Sequence, residues 1–454
     1  MKRHLLAGRF GLDDLVELPR ATDEQVTEVQ FVQGAKTLGF DIGDALKSLK
    51  KLNVLPSEMG VDLLVVAAHV HAADTRISRA QQSQDSWTRE IRLVVPVSDP
   101  ERWAAAGATL TRALGFLTGD RWTVGFRERP VRFKTIVEGS PTLLPAVFDA
   151  VSLFSGGLDS LIGSIDLLEA GNTPLLVSHA GEGAVSGAQQ TLFDRLKVQY
   201  PNLPFDRLRL WMNFPNDLVK DVEPENTTRG RSFLFFALGI FAGSGLRSSF
   251  VLRVPENGLI ALNVPLDPLR LGSNSTRTTH PFYIARWNQL LLELGINGRV
   301  ENGYWDKTKG EMAAACSNPT LLRTLAPDSL SCSSPTKGRW QGLAAQHCGF
   351  CLPCLIRRAA LDSAWGRGHD VTSYTVPDLR AHPLDTNESV GQQVRSFQFA
   401  IERLRQRPEL AKMLIHKPGS LSDEVGHLEQ LANVYRRGLE EVGHLIEGAE
   451  TKPG

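Results

Sequence analysis

The segment LFSGGLDSL contains the residues of this chain best suited to phosphate chemistry. Ser155, Gly156 and Gly157 follow an apolar run and precede Leu158, Asp159 and Ser160, which begin a helical pattern. Adjacent glycines leave main-chain N–H groups accessible, and the positive end of the following helix favours an anion there. No lysine follows as in GxxxxGK[ST], and the glycines are not spaced as in GxGxxG. We interpret the loop as a phosphate cradle; a glycine-rich turn without a ligand is the alternative.

Four cysteines form the second chemical cluster. The pattern C-x15-C-x2-C-x2-C comprises Cys332, Cys348, Cys351 and Cys354. Two x2 spacings and a distant cysteine suit tetrahedral Zn²⁺, and four thiolates leave no open position, which predicts a structural site. An iron–sulfur cluster is the alternative. His347 is expected outside the ligand set, and the fifth cysteine, Cys316, as a small buried residue.

The elements around the glycine loop predict how it is positioned. A strand is expected over Phe148–Phe154, a helix with apolar residues at Leu158–Leu168, and a second strand over Pro174–His179. Strand, helix and strand within about thirty residues form a βαβ unit. We therefore predict an α/β fold, a doubly wound parallel sheet, in which the first βα turn faces the ligand.

Two further units flank this sheet. Residues 1–147 are predicted to be an α/β unit with strands at Asp62–Val70 and Ile91–Val97, and a linker is expected at residues 140–146. His69 and His71 would share one face of the first strand, as ordinary half-buried histidines or as a metal or catalytic pair. Residues 371–454 carry two helical apolar stripes and are predicted to be a helical appendage.

Composition restricts the broad class. A chain of 454 residues predicts two or three domains. Fifty basic and fifty acidic residues give zero formal net charge, which disfavours nucleic acid as the main partner. The longest apolar stretch, Phe233–Ala242, is too short to span a membrane. We expect a cytoplasmic protein in which the cysteines bind metal rather than form disulfides.

The two motifs together resemble a known family. Ser155–Ser160 matches the SGGxDS PP-loop of ATP pyrophosphatases, and Cys348–Arg357, with Gly349, matches the CGxCxxCxxR of QueC, the 7-cyano-7-deazaguanine synthases. The resemblance covers about residues 150–358. It implies ATP with Mg²⁺ as cofactors, and adenylation of 7-carboxy-7-deazaguanine, followed by attack of ammonia and conversion of the amide to a nitrile. The loop would hold the β and γ phosphates, and Asp159 would bind magnesium or order the loop.

The resemblance also implies roles for other residues. Gly230 and Arg231 would contact phosphate, with Ser232 in place of the family's usual Asn. Further residues implied near the nucleotide are Thr308, Lys309 and Glu311. Those implied to recognise the base and carboxylate are Glu256, Asn257, Arg277 and His280, although polar loop residues that cap helices would have the same composition. The implied catalytic set is Ser155, Asp159, Ser160, Arg231 and Lys309.

The extra length resembles the longer QueC-like proteins of bacterial anti-phage systems, the QatC family of the Qat system. That resemblance implies a defence role and a protein partner bound by the flanking units. The acceptor of the activated carboxylate would be ammonia or an amine of the partner. Two alternatives are a non-catalytic nucleotide-binding subunit of a defence complex and a tRNA-modifying PP-loop enzyme, which would need a basic RNA-binding surface and a metal-free cysteine.

Overall fold

The computed structural model describes residues 3–453 except 20, 34–36, 84, 140–145, 182, 226, 228, 247–248 and 268–276, and at residues 33 and 340 only the main chain. It is an α/β structure with parallel sheets. The predicted linker at residues 140–146 lies almost entirely outside the described residues.

A four-stranded parallel sheet in the order β2-β1-β5-β6 organises the N-terminal part. The four strands of this sheet are β1 Arg3–Arg9, β2 Glu24–Gln30, β5 Glu90–Val97 and β6 Arg121–Glu128. A separate two-stranded hairpin consists of β3 Val32–Gln33 and β4 Thr37–Leu38. The helices are α1 Ile42–Lys51, α2 Glu58–Arg76, α3 Arg79–Gln82, α4 Pro100–Ala105 and α5 Gly107–Thr118.

The strand predicted at Asp62–Val70 is wrong, because these residues belong to α2. Every residue from 60 to 76 of this helix is buried, so it lacks the polar face that gives a helix its sequence period. His69 and His71 therefore do not share a face. The His69 ring stacks on Phe31 at 4.6 Å, whereas the His71 ring faces His179 at 5.7 Å.

A five-stranded parallel sheet in the order β11-β10-β7-β8-β9 carries the glycine loop. Its strands are β7 Ala150–Leu153, β8 Pro174–His179, β9 Asp206–Leu210, β10 Phe250–Arg253 and β11 Gly298–Glu301. The helices of this part are α6 Leu158–Glu169, α7 Gly183–Gln199, α8 Arg231–Gly243, α9 Gly258–Leu262, α10 Pro281–Glu293, α11 Lys309–Ala314, α12 Pro319–Leu325 and α13 Leu352–Trp365. The chain runs from β7 to β8 on one side and later adds β10 on the other, so the strand order reverses beside β7.

Helices cover both faces of this sheet. Leu176 of β8 packs with α6, while Leu175 and Val177 point to the opposite face, which α8 covers. α8 also lies against α2, and one hydrophobic core contains residues of both sheets. The predicted boundary at residue 147 thus separates two sheets that share a core.

The C-terminal residues confirm both predicted helical stripes. The elements are β12 Leu384–Asp385, α14 Ser389–Gln406, α15 Leu410–Leu414, α16 Leu428–Ile446 and β13 Thr451–Lys452. The apolar face of α16 packs on α9, α13 and α14, in a core that includes the buried cysteines. Across the described ranges, no helix is both long and apolar enough to cross a membrane.

Candidate functional site

The glycine loop lies where the sequence predicts it, between β7 and α6. Gly156 has φ 82°, and a Cβ there would approach the main-chain nitrogen of Gln189 to 3.1 Å, so both conformation and space require glycine. Gly157 is extended and forms the N-cap of α6. The loop therefore presents the first N–H groups of a helix at the carboxyl end of a central strand.

Serine hydroxyls accept hydrogen bonds from the loop. The Leu158 N–H donates to Ser331 Oγ at 3.1 Å, and the Gly157 N–H donates to Ser155 Oγ at 3.3 Å. Ser160 Oγ donates to the Gly157 carbonyl at 2.9 Å. The Ser331 and Ser155 hydroxyl oxygens therefore accept from main-chain amides that an anion bound at this helix end would also use.

Asp159 is held below the loop by three contacts. Its Oδ1 lies 2.9 Å from Lys309 Nζ, and its Oδ2 accepts from Asn257 Nδ2 at 2.8 Å and from the Asn257 N–H at 3.2 Å. Asn257 in turn caps α9, because its Oδ1 accepts from the Ile260 N–H at 3.1 Å. These contacts tie Asp159 to Lys309 and Asn257, and the Asn257 side-chain amide contacts Asp159 and α9.

A cavity of about 360 Å³ opens beside the loop. Its polar lining residues are Ser155, Ser160, Arg229, Arg231, Ser232, Glu256, Arg277, Thr278 and Thr279. Glu256 Oε2 accepts from Thr279 Oγ1 at 2.7 Å. Burial, with a smaller contribution from the negative charge of Asp159, raises the pKa of Glu256 to about 7. The cavity thus combines serine hydroxyls of the glycine loop, arginines and a buried carboxyl group whose pKa is raised to about 7.

The predicted Gly230–Arg231 element begins α8, and Arg231 lines the cavity. The Gly230 N–H donates to Asp74 Oδ2 at 2.7 Å, so a carboxylate of α2 holds this turn. Arg229 also lines the cavity, and the sequence analysis missed it. The signal in the sequence that points to Arg229 is its position directly before the Gly230–Arg231 motif.

Of the three residues predicted near the nucleotide, Thr308, Lys309 and Glu311, two stabilise the start of a helix. Thr308 and Glu311 form a capping box at the start of α11, in which each side chain accepts from the main-chain N–H of the other. Glu311 also pairs with Arg437 of α16, with 2.6 Å between Oε1 and Nε. Lys309 alone reaches the loop, through Asp159.

Arg277 and His280 differ in their access to the cavity. Arg277 lines it, and its Nη1 donates to the Phe116 carbonyl at 2.9 Å. His280 is buried, and its Nδ1 accepts from the Phe282 N–H at 3.2 Å at the start of α10. Burial, with the positive charge of Arg277, lowers the pKa of His280 to about 3 and keeps the ring neutral. Residues 268–276, directly before Arg277, lie outside the described residues.

The four predicted cysteines come together, with one sulfur of each within 4.8 Å of the others. Two pairs, Cys332–Cys351 and Cys348–Cys354, have Sγ–Sγ distances of 3.9 Å. The Cys348 and Cys351 N–H groups donate to the sulfurs of Cys332 and Cys348 at 3.3 Å, contacts that favour thiolate character. The cluster could hold one metal ion, and Cys316 is buried elsewhere.

Residues beside the cysteines connect the cluster to the glycine loop. His347 Nε2 accepts from the Ser331 N–H at 3.1 Å, which places it outside the ligand set. Arg357 is fully buried, and its guanidinium donates to Ser329 Oγ at 2.7 Å and to the Ala326 carbonyl at 2.6 Å. The segment leading to Cys332 is therefore fixed over the loop that it contacts through Ser331.

Comparisons with protein-family models, with curated proteins and with solved structures found no match for this chain.

Proposed function

We propose that this chain is a QueC-like PP-loop enzyme of an anti-phage defence system, with a doubly wound core sheet. It would use ATP to adenylate the carboxylate of a 7-carboxy-7-deazaguanine-like substrate for attack by an amine. The observation that carries the proposal is the SGGLDS loop at the β7–α6 turn, beside the reversal of strand order and on the same cavity as Arg231. Ligands of doubly wound sheets bind at such a reversal.

The arrangement supports an in-line displacement at the α phosphate. The loop amides and Arg231 would hold the β and γ phosphates, leaving the α phosphate toward the cavity. A carboxylate oxygen of the substrate forms a bond to Pα, the Pα–O–Pβ bond breaks, and pyrophosphate leaves with both electrons of that bond. The product is an acyl adenylate, and the loop N–H groups stabilise the charge on the departing pyrophosphate.

The second step transfers the acyl group. The amine nitrogen bonds to the acyl carbon, AMP leaves, and the nitrogen loses a proton to give an amide. Glu256 lines the cavity and, with a pKa of about 7, is suited to accept that proton. The amine would come from ammonia or from a partner protein in contact with the flanking units.

Mg²⁺ usually accompanies ATP, but the residue predicted to hold it does not fit that role. Both oxygens of Asp159 are engaged, by Lys309 and by Asn257, and Asp159 does not line the cavity.

The cysteine cluster fits Zn²⁺. With ~2.3 Å Zn–S bonds, tetrahedral geometry places ligand sulfurs ~3.8 Å apart. The two 3.9 Å Sγ–Sγ distances agree with this value. An iron–sulfur cluster has several irons between the thiolates and would hold them further apart. We propose a closed, structural zinc site that fixes the segment above the glycine loop.

The test is product analysis with labelled ATP. Purified protein is incubated with ATP, Mg²⁺, 7-carboxy-7-deazaguanine and ammonia, and separately with proteins of the same defence system in place of ammonia. AMP and pyrophosphate are expected, and Arg231→Gln should reduce their formation at least tenfold. Arg299→Gln is the matched control, because the Arg299 side chain is 63% exposed, forms an ion pair with Glu301 and does not appear among the residues that line the cavity.

The outcomes separate the enzyme from its alternatives. ATP binding without any nucleotide product in every combination would refute the enzyme and favour a non-catalytic subunit. Products that form only when tRNA is added would favour the tRNA-modifying alternative.

A further inference from the structure

One face of α16, in the C-terminal unit, contacts the starts of two helices beside the glycine loop. Residues at i, i+3, i+4 and i+7 share one side of a helix. On this face they are Val434, Arg437, Gly438 and Glu441. The two contacted helices are α9, whose N-cap is Asn257, and α11, whose N-cap is Thr308. The same face of α16 thus reaches both segments that supply the contacts of Asp159.

Glu441 binds the first turn of α11. Its Oε1 accepts a hydrogen bond from the Thr308 hydroxyl, and its Oε2 accepts from the Gly310 N–H at 3.3 Å. Lys309 lies between these two residues. The carboxylate of Glu441 therefore fixes the main chain on both sides of Lys309.

Arg437 adds a second attachment to the same turn. Its Nε donates to Glu311 Oε1 at 2.6 Å, and its Nη2 donates to Glu311 Oε2 at 3.1 Å and to the Asp306 carbonyl at 2.8 Å. Two parallel bonds between a guanidinium and a carboxylate restrict orientation as well as distance. The start of α11 is therefore held in one orientation against α16.

The start of α9 packs directly on the same face. A Cβ at Gly438 would approach Leu259 Cβ to 2.9 Å, and a Cβ at Gly258 would approach Val434 Cγ1 to 2.9 Å, so only glycines permit this close packing. The Gly258 N–H also donates to the Lys307 carbonyl at 2.8 Å, which joins α9 to the segment before α11. The two helix starts therefore form one unit against α16.

These two helix starts meet at Asp159. Its Oδ1 lies 2.9 Å from Lys309 Nζ, and its Oδ2 accepts from Asn257 Nδ2 at 2.8 Å. The Lys309 side chain is only 4% exposed, so little water competes for the ion pair. Asp159 belongs to the first turn of α6, directly after the loop glycines. A shift of α9 or α11 would therefore move the side chains that hold the end of the loop.

We propose that Arg437 and Glu441 are positioning residues of the glycine loop, which act through the ion pair between Lys309 and Asp159. The C-terminal unit thereby determines how well ordered the loop is and how tightly it binds the phosphates of ATP. The effect on ATP rests on the proposed function. The effect on loop order rests only on the contacts of α16.

The test combines calorimetry, using a non-hydrolysable ATP analogue, with hydrogen exchange of the unliganded full chain. Glu441→Ala and Arg437→Gln should each weaken binding of the analogue about tenfold. Exchange of the main-chain amides of residues 155–160 should accelerate about tenfold, because the loop opens locally more often. The matched controls on the same helix are Glu440→Ala, at an exposed position, and Arg436→Gln, whose guanidinium contacts Asn433. Both controls should keep wild-type affinity and exchange.

A double variant shows whether the effect passes through Lys309. Lys309→Met removes the ion pair with Asp159 and should itself weaken binding of the analogue. Adding Glu441→Ala to Lys309→Met should then weaken binding by no more than about threefold, because the two residues act on the same contact. If the two single effects multiply instead, the positioning role is refuted. If Glu441→Ala fails to fold, as judged by its melting curve, Glu441→Gln replaces it, because it keeps one acceptor oxygen, and it should show a smaller loss in the same direction.

The outcomes distinguish this proposal from the proposed function. If wild type does not bind the analogue, the proposed function fails, and exchange of the loop amides still tests the positioning role. Wild-type affinity and exchange in both single variants would refute the positioning role, even if wild type forms AMP. A lower melting temperature without faster loop exchange or weaker binding would also refute it, because Arg437 and Glu441 would then only stabilise the C-terminal unit.

Discussion

Removing the Ser331 hydroxyl should strengthen ATP binding, if the phosphates use the loop amides as proposed. In the structure, Ser331 Oγ accepts from the Leu158 N–H at 3.1 Å, and a phosphate oxygen would have to displace it. A net protein hydrogen bond contributes ~1 kcal/mol, which corresponds to about fivefold in affinity. Ser331→Ala removes that competitor, because the unliganded protein loses the bond and the complex does not.

The assay is calorimetric titration with a non-hydrolysable ATP analogue, together with melting curves. The unliganded variant should melt slightly below wild type, and the analogue should raise its melting temperature more than that of wild type. Ser317→Ala is the matched control, since Ser317 is exposed and its main-chain N–H donates to Asp166 rather than to a loop residue. Unchanged affinity would show that the phosphates do not use this amide, and weaker binding would show that Ser331 itself contacts the nucleotide; either result refutes the reasoning.

Three further predictions follow from buried groups. Cys351→Ser should release the metal and destabilise the protein by several kcal/mol, whereas Cys316→Ala should retain about one equivalent by metal analysis. Because the pKa of Glu256 is raised from 4.5 to about 7, its protonated form stabilises the fold below pH 4.5 and this contribution is lost by pH 7; chemical unfolding of Glu256→Gln should lack that decline. Arg357→Lys should cost about 2–4 kcal/mol in chemical unfolding, because it loses the donor to Ser329, but should retain the metal. Full metal content in Cys351→Ser would contradict the first prediction. A stability of Glu256→Gln that still falls between pH 4.5 and 7 would contradict the second, and wild-type stability of Arg357→Lys would contradict the third.

The hydrophobic periodicity of the sequence predicted the two strands and the helix around the glycine loop correctly. The βαβ unit from Ala150 to His179 is marked by two short apolar runs and one amphipathic helix, each of which carries its own period. α2 was mistaken for a strand because a helix buried on all sides has no polar face to mark its period. The helix continues beyond the nine residues of the predicted strand to a length of 19 residues, longer than an ordinary strand.

Motif spacing identified the loop and the cysteines, but not the partners of single polar residues. Asn257 precedes a short apolar helix and acts as its N-cap, a local reason for asparagine that the sequence already contained. Thr308 and Glu311 have the spacing of a capping box, which is also visible in the sequence. The contacts of Arg229 with Thr118 depend on how two distant segments pack, and no local pattern records them.

The cavity joins three parts of the chain that are far apart in sequence. The central sheet supplies the glycine loop, the segment before the cysteines covers that loop through Ser331, and α5 holds Arg229 and Arg277. The Asp74 carboxylate of α2 also holds the turn that presents Arg231. The core around α2 and α8 is continuous with that of the sheet that carries the loop, so the elements that hold the three arginines and the loop pack on one shared core.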